Sequence, residues 1–225
     1  MGSAHPPIIK FHAEVLPRAT KKALDFLSQE AWLKRSGWYL AGGTALALVV
    51  GHRSSVDLDF FSQKSDFSLA ALLRHFPKDV WLASLVREGT VYGELMGAKI
   101  SFISYPFFIP KEPYIQHGTV QILSPRDIAV MKIIAISQRG RKRDFVDLYW
   151  YCRNREPLLD IIRRLPAQYP TVAHDYHHIM KALMYFEDAE ADPMPRLFFN
   201  ADWKHIKAYF RVEVPKAAKE VLGLS

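Results

Sequence analysis

Apolar and polar positions alternate with two different periods along this chain, and the change between them divides it. From Pro17 to Arg35, residues Ala23, Leu24, Leu27, Ala31 and Trp32 recur at helical spacing, with Gly37 as a stop, so a single helix is predicted there. Trp38 to Ala41 reads as a short strand, Gly42-Gly43 as a tight turn and Thr44 to Val50 as a short apolar helix. Gly51 to Ser55 breaks the pattern, and Val56 to Phe61 is the next strand. Ser68 to Phe76 is predicted as an amphipathic helix ending before Pro77. Val80 to Val86, Thr90 to Met96 and Lys99 to Ser104 read as strands, with turns at Gly89 and Gly97, and Thr119 to Leu123 adds another after Gly118.

At Ser124 the period changes. Ser124-Pro125-Arg126-Asp127 sets a hydroxyl cap, a proline in the first turn and a carboxylate three residues on, which together start a helix. Nearly everything afterwards reads helical, with no repeat, low-complexity tract or long linker. The predicted class is α+β: a mixed sheet with flanking helices over residues 1–123, then a mainly helical half over residues 124–225.

Composition adds a few bounds. Hydrophobic residues make up 49% of the 225, enough for a packed core, and charged residues 24%. The single cysteine, Cys152, excludes an internal disulfide, so a cytoplasmic setting is expected. No apolar run approaches the ~20 residues that cross a bilayer, and no signal pattern opens the chain, so no membrane partner is expected. The net charge of +7 suits an anionic partner. It is unevenly spread: Ser124 to Leu165 holds ten Lys/Arg against five Asp/Glu, and Arg139-Gly140-Arg141-Lys142-Arg143 concentrates four cations.

The chemistry gathers at Val56-Asp57-Leu58-Asp59-Phe60. Side chains at i and i+2 of a strand share a face, so Asp57 and Asp59 point together, away from Val56, Leu58 and Phe60. Two adjacent carboxylates repel unless one stays protonated or a cation joins them. Hard oxygen ligands select Mg²⁺, with Mn²⁺ as its substitute. Upstream, Gly42, Gly43 and Thr44 lie at a helix N-terminus, where small residues and free N–H groups admit a phosphate and a hydroxyl stands by. The bland alternative is a simple turn followed by a solvated edge.

Later positions fit an anion too. Lys132 is the only charge between Ile128 and Ile136, so its ammonium either snorkels to the surface or meets an anion. Arg139 lies seven residues on, near the same face. Asp144 and Asp147, at i and i+3, share a helix face as ion-pair partners for Lys132 or Arg143; Asp144 is alternatively a base or a metal neighbour. The loop from Arg139 to Arg143 is the candidate contact for NTP phosphates or nucleic acid, against the alternative of a solvated basic loop. The histidines at 174, 177 and 178 lack a supporting ligand cluster and read as helix surface; Trp203, Tyr209 and Phe210 read as core.

In combination, Gly42-Gly43-Thr44-Ala45-Leu46, then His52-Arg53-x-Ser55-x-Asp57-Leu58-Asp59-Phe60-Phe61, then Lys132 and Arg143-Asp144-Phe145-x-Asp147-Leu148-Tyr149, resemble the AbiEii/AbiGii-type toxin family. These are nucleotidyltransferase-like proteins related to the DNA polymerase β superfamily, and the motifs span residues 41–149. The resemblance implies a nucleotidyltransferase-like mixed sheet whose helical half completes the active-site cleft. It implies Mg²⁺-dependent transfer of a nucleoside monophosphate from an NTP to an RNA, such as tRNA, or to a protein hydroxyl, and a toxin role opposed by an antitoxin. The candidate catalytic residues are Asp57, Asp59, Lys132 and Asp144, with Asp57 and Asp59 as the metal ligands, and the candidate nucleotide or phosphate contacts are Gly42, Gly43, Thr44, Arg53, Ser55, Arg139 and Arg143.

One departure stands out. Superfamily enzymes carry a third carboxylate on a later strand, and here that position is Ser101, in Lys99-Ile100-Ser101-Phe102-Ile103. A two-residue turn at Gly97-Ala98 would set Glu94 opposite Ser101, making Glu94 the candidate third ligand; pairing with Lys99 or exposure to solvent is the alternative. Two other readings therefore stay open: a nucleotide-binding module without transfer, and a non-catalytic interaction partner.

Overall fold

The structure is a computed structural model and describes residues 10–77, 81–87 and 89–223. Among these residues seven strands form one mixed sheet: β1 (Tyr39–Ala41), β2 (Leu58–Ser62), β3 (Trp81–Arg87), β4 (Thr90–Leu95), β5 (Ala98–Ser104), β6 (Ile115–His117) and β7 (Val120–Ile122), in the order β3-β4-β5-β2-β1-β7-β6. β2 runs antiparallel to β1 and parallel to β5, while β1 runs parallel to β7. The α+β class read from the sequence holds.

The sheet's buried face explains why these strands pair. Leu58 and Phe60 of β2 and Ile100 and Phe102 of β5 are almost fully excluded from water. Phe102 is the hub, with ring centroids 5.1 Å from Trp38, 5.2 Å from Phe60, 5.9 Å from Phe76 and 6.2 Å from Trp81. Aromatic pairs at such distances add to the area they bury. The opposite face carries Asp59, Phe61, Ser101 and Ile103, and is left for the site.

Among the described residues ten α-helices accompany the sheet. α1 (Arg18–Leu27), α2 (Gly42–Val50) and α3 (Leu69–Leu73) lie among the strands. α4 (Pro125–Arg139), α5 (Lys142–Asn154), α6 (Leu158–Ile162), α7 (Leu165–Gln168), α8 (Tyr176–Met184), α9 (Glu187–Glu190) and α10 (Trp203–Leu222) follow it. Ser124 caps α4 by accepting a hydrogen bond from the Asp127 N–H, with Pro125 in the first turn, as the motif predicts.

Several expectations are corrected. The helix predicted from Pro17 to Arg35 is divided into α1 and a 3₁₀ turn over Ala31–Arg35. The split has a cause: Thr119 reaches back, its hydroxyl donating to Leu27 O at 3.0 Å and its N–H to Ser28 O at 2.8 Å, which ties off the last carbonyls of α1. Gly42-Gly43 is not a turn but the opening of α2. The helix predicted from Ser68 shrinks to α3, and the strand predicted from Val80 runs over Trp81–Arg87, Val80 itself lying outside the described residues. β6 has no counterpart in the sequence reading, because its three residues have too little alternation to register.

Candidate active site

The cleft opens where β1 ends. Ala41, paired with Asp59, adopts an extended backbone and is followed by Gly42 with φ at +72°, which turns the chain directly into α2. A side chain at Gly42 would be strained by that φ, and its Cβ would sit 3.2 Å from Asp59 Oδ2. At Gly43 a Cβ would meet Arg53 Nη2 at 2.1 Å, so a side chain there would push Arg53 off Asp147. No side chain caps the N-terminus of α2, and Gly42, Gly43 and Thr44 line the cleft, so the first N–H groups of a nine-residue helix face it.

Asp59, on β2, and Asp57, just ahead of that strand, line the same cavity of about 630 Å³. Thr44 and Ser55 join them, their hydroxyls 2.7 Å apart. Burial pushes the Asp59 carboxyl above its ordinary range; a hydrogen bond from the Ser101 hydroxyl to Oδ1, 2.6 Å, opposes this and the charge of Asp57 adds to it. Asp57 is partly exposed, with Arg143 Nη1 at 3.4 Å from Oδ2. The loop bearing these groups is pinned from both ends of the chain: Ser54 N–H donates to Arg196 O at 2.9 Å, Phe198 N–H to His52 O at 2.9 Å, and the Thr20 hydroxyl to Val56 O at 2.8 Å.

Behind the glycines lies a second acid pair. Asp147 of α5 is wholly buried and accepts from Arg53 Nε at 2.5 Å, Arg53 Nη2 at 2.9 Å and His52 Nε2 at 2.7 Å, with Lys132 Nζ at 2.6 Å. Asp144 accepts from Lys132 Nζ at 2.6 Å and from Arg139 Nε at 3.0 Å. Burial alone would raise both carboxyls, but Arg53 and Lys132 hold Asp147 well below its ordinary range, and Lys132 and Arg139 lower Asp144. Burial lowers His52 while Asp147 opposes this, and the hydrogen on its Nε2 is assigned by the bond to Asp147.

These contacts sort the sequence-predicted residues. Gly42, Gly43, Thr44, Arg53, Ser55, Asp57, Asp59, Lys132, Arg139 and Arg143 all line one cavity. Lys132 neither snorkels nor stands free; it is clamped between Asp144 and Asp147. Arg53 spends its fork on Asp147, so its part in the cleft is first to hold α2 against α5. The basic run is split by the α4–α5 junction. Arg139 and Arg143 face the cleft, whereas Arg141 Nη1 donates to Asp192 Oδ1 at 2.8 Å and the Lys142 ammonium stands 5.2 Å over the Trp203 ring.

For Glu94 the structure takes the alternative, pairing with Lys99 and exposure, and corrects the expected turn. The turn centres on Met96 and Gly97, both with positive φ, as a two-residue hairpin of the primed type requires. That moves the turn by one residue and the pairing by two, so Glu94 pairs with Lys99, and Tyr92 stands opposite Ser101. Glu94 remains on the cavity wall, but exposed and away from Asp59. Among the described residues no cluster of three or more His, Cys, Asp or Glu suits a metal ion. Mg²⁺ does not need one: it is commonly held by one or two carboxylates with phosphate oxygens and water completing six positions. The donors of Asp57 and Asp59 beside an anion-accepting helix end fit that arrangement.

A sequence model of the family described as nucleotidyl transferase AbiEii toxin, type IV toxin–antitoxin system, matches residues 25–94 and 96–223. The chain belongs to that family. An uncharacterised protein of Aquifex aeolicus (strain VF5) is 32% identical to this AbiEii-family chain over 183 residues, covering 79% of it and 86% of the relative. Two solved structures share the fold. The nucleotidyltransferase toxin MenT4 of Mycobacterium tuberculosis H37Rv has a TM-score of 0.54 and 15% identity, covering 92% of this chain and 87% of its own. JHP933 of Helicobacter pylori has a TM-score of 0.50 and 18% identity, covering 93% and 97%. No described helix is long and apolar enough to cross a membrane.

The sequence reading missed the apolar part of the cleft: Phe61, Ile103, Tyr105, Ile128 and Met131. For Phe61 the signal was present, since it follows Asp59 by two on the same strand face. Tyr105 and Met131 carried none, because no local pattern places a residue just beyond β5 or one in the middle of α4 beside this cavity.

Proposed function

We propose that this chain transfers a nucleoside monophosphate from an NTP to a hydroxyl of an RNA acceptor, with Mg²⁺ (or Mn²⁺) held by Asp57 and Asp59, and that an antitoxin protein opposes this activity. One observation carries the reading: an uncapped helix N-terminus stands beside two adjacent carboxylates, one of them raised by burial, in a single cavity. When bound, the metal supplies charge neutralisation and orientation of the phosphates. The chain's own residues do the rest. The N–H groups of Gly43 and Thr44 receive the terminal phosphates, and Arg139 and Arg143 add positive charge at the cleft edge. Lys132, fixed by two buried carboxylates, presents a preorganised cation as negative charge moves toward the leaving group. The acceptor oxygen attacks the α-phosphorus, the bond to the β-phosphate bridge breaks, pyrophosphate leaves, and the acceptor proton passes to solvent.

The RNA acceptor is favoured by the cations facing the cleft within a segment that carries +5 of the chain's +7. The test is incubation with each α-labelled NTP, Mg²⁺ and total cellular RNA or protein. RNA labelling that disappears in the Asp57→Asn, Asp59→Asn double variant supports the proposal; labelling of protein moves the acceptor, and labelling unchanged in the variant removes the mechanism. A second reading rests on Ser101, which occupies the third-acid position and hydrogen-bonds Asp59 instead. It is nucleotide binding without transfer, marked by tight Mg·NTP binding and no labelled product.

A further inference from the structure

One edge of the sheet carries a strand built like an interior one. β3 ends the strand order, so no described strand takes up the N–H and C=O groups of its outer side. Its sequence, Trp81-Leu82-Ala83-Ser84-Leu85-Val86-Arg87, is nearly continuous in apolar residues, the pattern of a strand covered on both faces, with its one charge at the end. Yet Leu82 is 66%, Leu85 41% and Val86 49% exposed. Edge strands are ordinarily protected by shortness, charges, prolines or bulges. β6, at the opposite edge, is three residues long. β3 has seven, and of those devices its middle has only a bulge between Ala83 and Leu85.

The register with β4 sorts these residues by face. Leu82 is paired with Glu94, Leu85 with Tyr92 and Arg87 with Thr90, so one face of β3 shows two leucines followed by a cation. The neighbouring row on β4 holds Tyr92 and Glu94, both exposed. Val86, paired with the buried Val91, is on the other face. The two charges stand at opposite ends of the apolar row: Arg87 beyond Leu85, and Glu94 beside Leu82. Glu94 has Lys99 opposite it on its inner side and only Leu82 on its outer side. Such a row is complementary to its own reverse.

From this charge order we infer that β3 pairs with β3 of a second copy of this chain, antiparallel, about a two-fold axis perpendicular to the sheet. Antiparallel pairing brings the Arg87 end of each copy to the Glu94 end of the other, with Leu82 and Leu85 of both copies between them. Where the arginine stands opposite Leu82, Glu94 is two strand spacings away, about 10 Å at the backbone, a gap that the two long side chains span. The outer backbone groups of both strands are satisfied at the same time. The contact uses the same patch on each copy, so it closes at two subunits. A parallel pairing would set the two arginine ends side by side and turn the cleft faces to opposite sides of the sheet. The pairing is independent of the transfer chemistry proposed above.

Sedimentation equilibrium of the full chain over a range of concentrations tests the pairing. A monomer–dimer equilibrium without larger species is expected. Leu82→Lys and Leu85→Lys place a charge of the kind that protects natural edges, and the two-fold contact carries each substitution twice. Each should weaken the dimer about a hundredfold. Both leucines are exposed in the single chain, so these variants should keep the parent's circular dichroism and urea midpoint. Arg87→Glu and Glu94→Arg should each weaken the dimer about tenfold, and the two together should restore the parent's affinity, because the exchanged ends meet again. A chain that stays monomeric at every concentration overturns the pairing and leaves the edge to a strand of another protein. So does a dimer that both lysine variants keep at the parent's affinity, or a charge exchange that associates no more tightly than its single variants.

Discussion

Two aspartate pairs stand at one cleft, Asp57 and Asp59 lining it and Asp144 and Asp147 buried behind it, and the protein treats them in opposite ways. Asp144 and Asp147 are buried more deeply, yet each is met by cations, and their carboxyls are held low. Asp57 and Asp59 face the cavity with one hydroxyl and one arginine contact between them, and Asp59 is pushed up. Burial alone does not separate the pairs, since it opposes ionisation in both. What differs is compensation from within the chain. The first pair is finished as folded and locks α4, α5 and the Arg53 loop around α2. The second remains short of positive charge.

The largest effect should come from opening the finished pair. Asp147→Asn leaves Arg53 and Lys132 buried with half their compensation, and breaking such a pair costs about 3–5 kcal/mol. Urea unfolding should show that loss, while Asp57→Asn, which removes only a partly exposed charge, should stay within ~1 kcal/mol of the parent. Comparable losses in both variants would erase the distinction between locking and binding pairs.

Chemistry should invert that ranking. Asp59→Asn is expected to lower NTP-dependent labelling about 10²–10³-fold, the range for losing one preorganised electrostatic group. It should also abolish stabilisation by Mg·NTP, which for the parent is about 2.7 kcal/mol at a hundred times Kd. Thermal melts with and without Mg·NTP check this independently of turnover. A variant that still gained stability from Mg·NTP would show that the metal is held elsewhere.

How much of this was legible beforehand follows the range of the interactions. The α+β order, the Ser124 cap and the grouping of Asp57 with Asp59 depend on neighbours a few residues apart, and pattern alone finds them. The Glu94 register failed because Met96, a residue seldom found at positive φ, takes the turn position that Gly97-Ala98 was expected to fill. Arg53 was read as a phosphate ligand because nothing local announces Asp147, ninety-four residues away, as its partner. The apolar lining of the cavity was invisible for the same reason: Tyr105 and Met131 are ordinary apolar residues until the fold brings them to one cavity.

Acid should act on the finished pair with a definite sign. Both Asp144 and Asp147 have folded-state pKa values below the ordinary 3.8, so the unfolded chain binds more protons near that pH. Their contribution to stability is complete above about 3.8 and declines as pH falls through the lowered values. Asp147→Asn should therefore flatten the acid limb of the stability–pH profile measured by urea unfolding. A limb of unchanged steepness would mean that other carboxylates govern acid unfolding.

The smallest effect is the one that tests the boundary of the unfinished pair. Were Glu94 a third metal ligand, Glu94→Gln would resemble Asp59→Asn and remove both labelling and Mg·NTP stabilisation. The hairpin sets it opposite Lys99 and exposed, where a charge pair contributes at most about 1 kcal/mol. Labelling by Glu94→Gln should therefore stay within about twofold of the parent, with the same Mg²⁺ dependence. A hundredfold loss would place a third carboxylate at the metal, and Ser101 would then have no bearing on how few acids this cleft uses. Retained labelling makes Asp57 and Asp59 sufficient, with the substrate's own phosphates supplying the remaining oxygens.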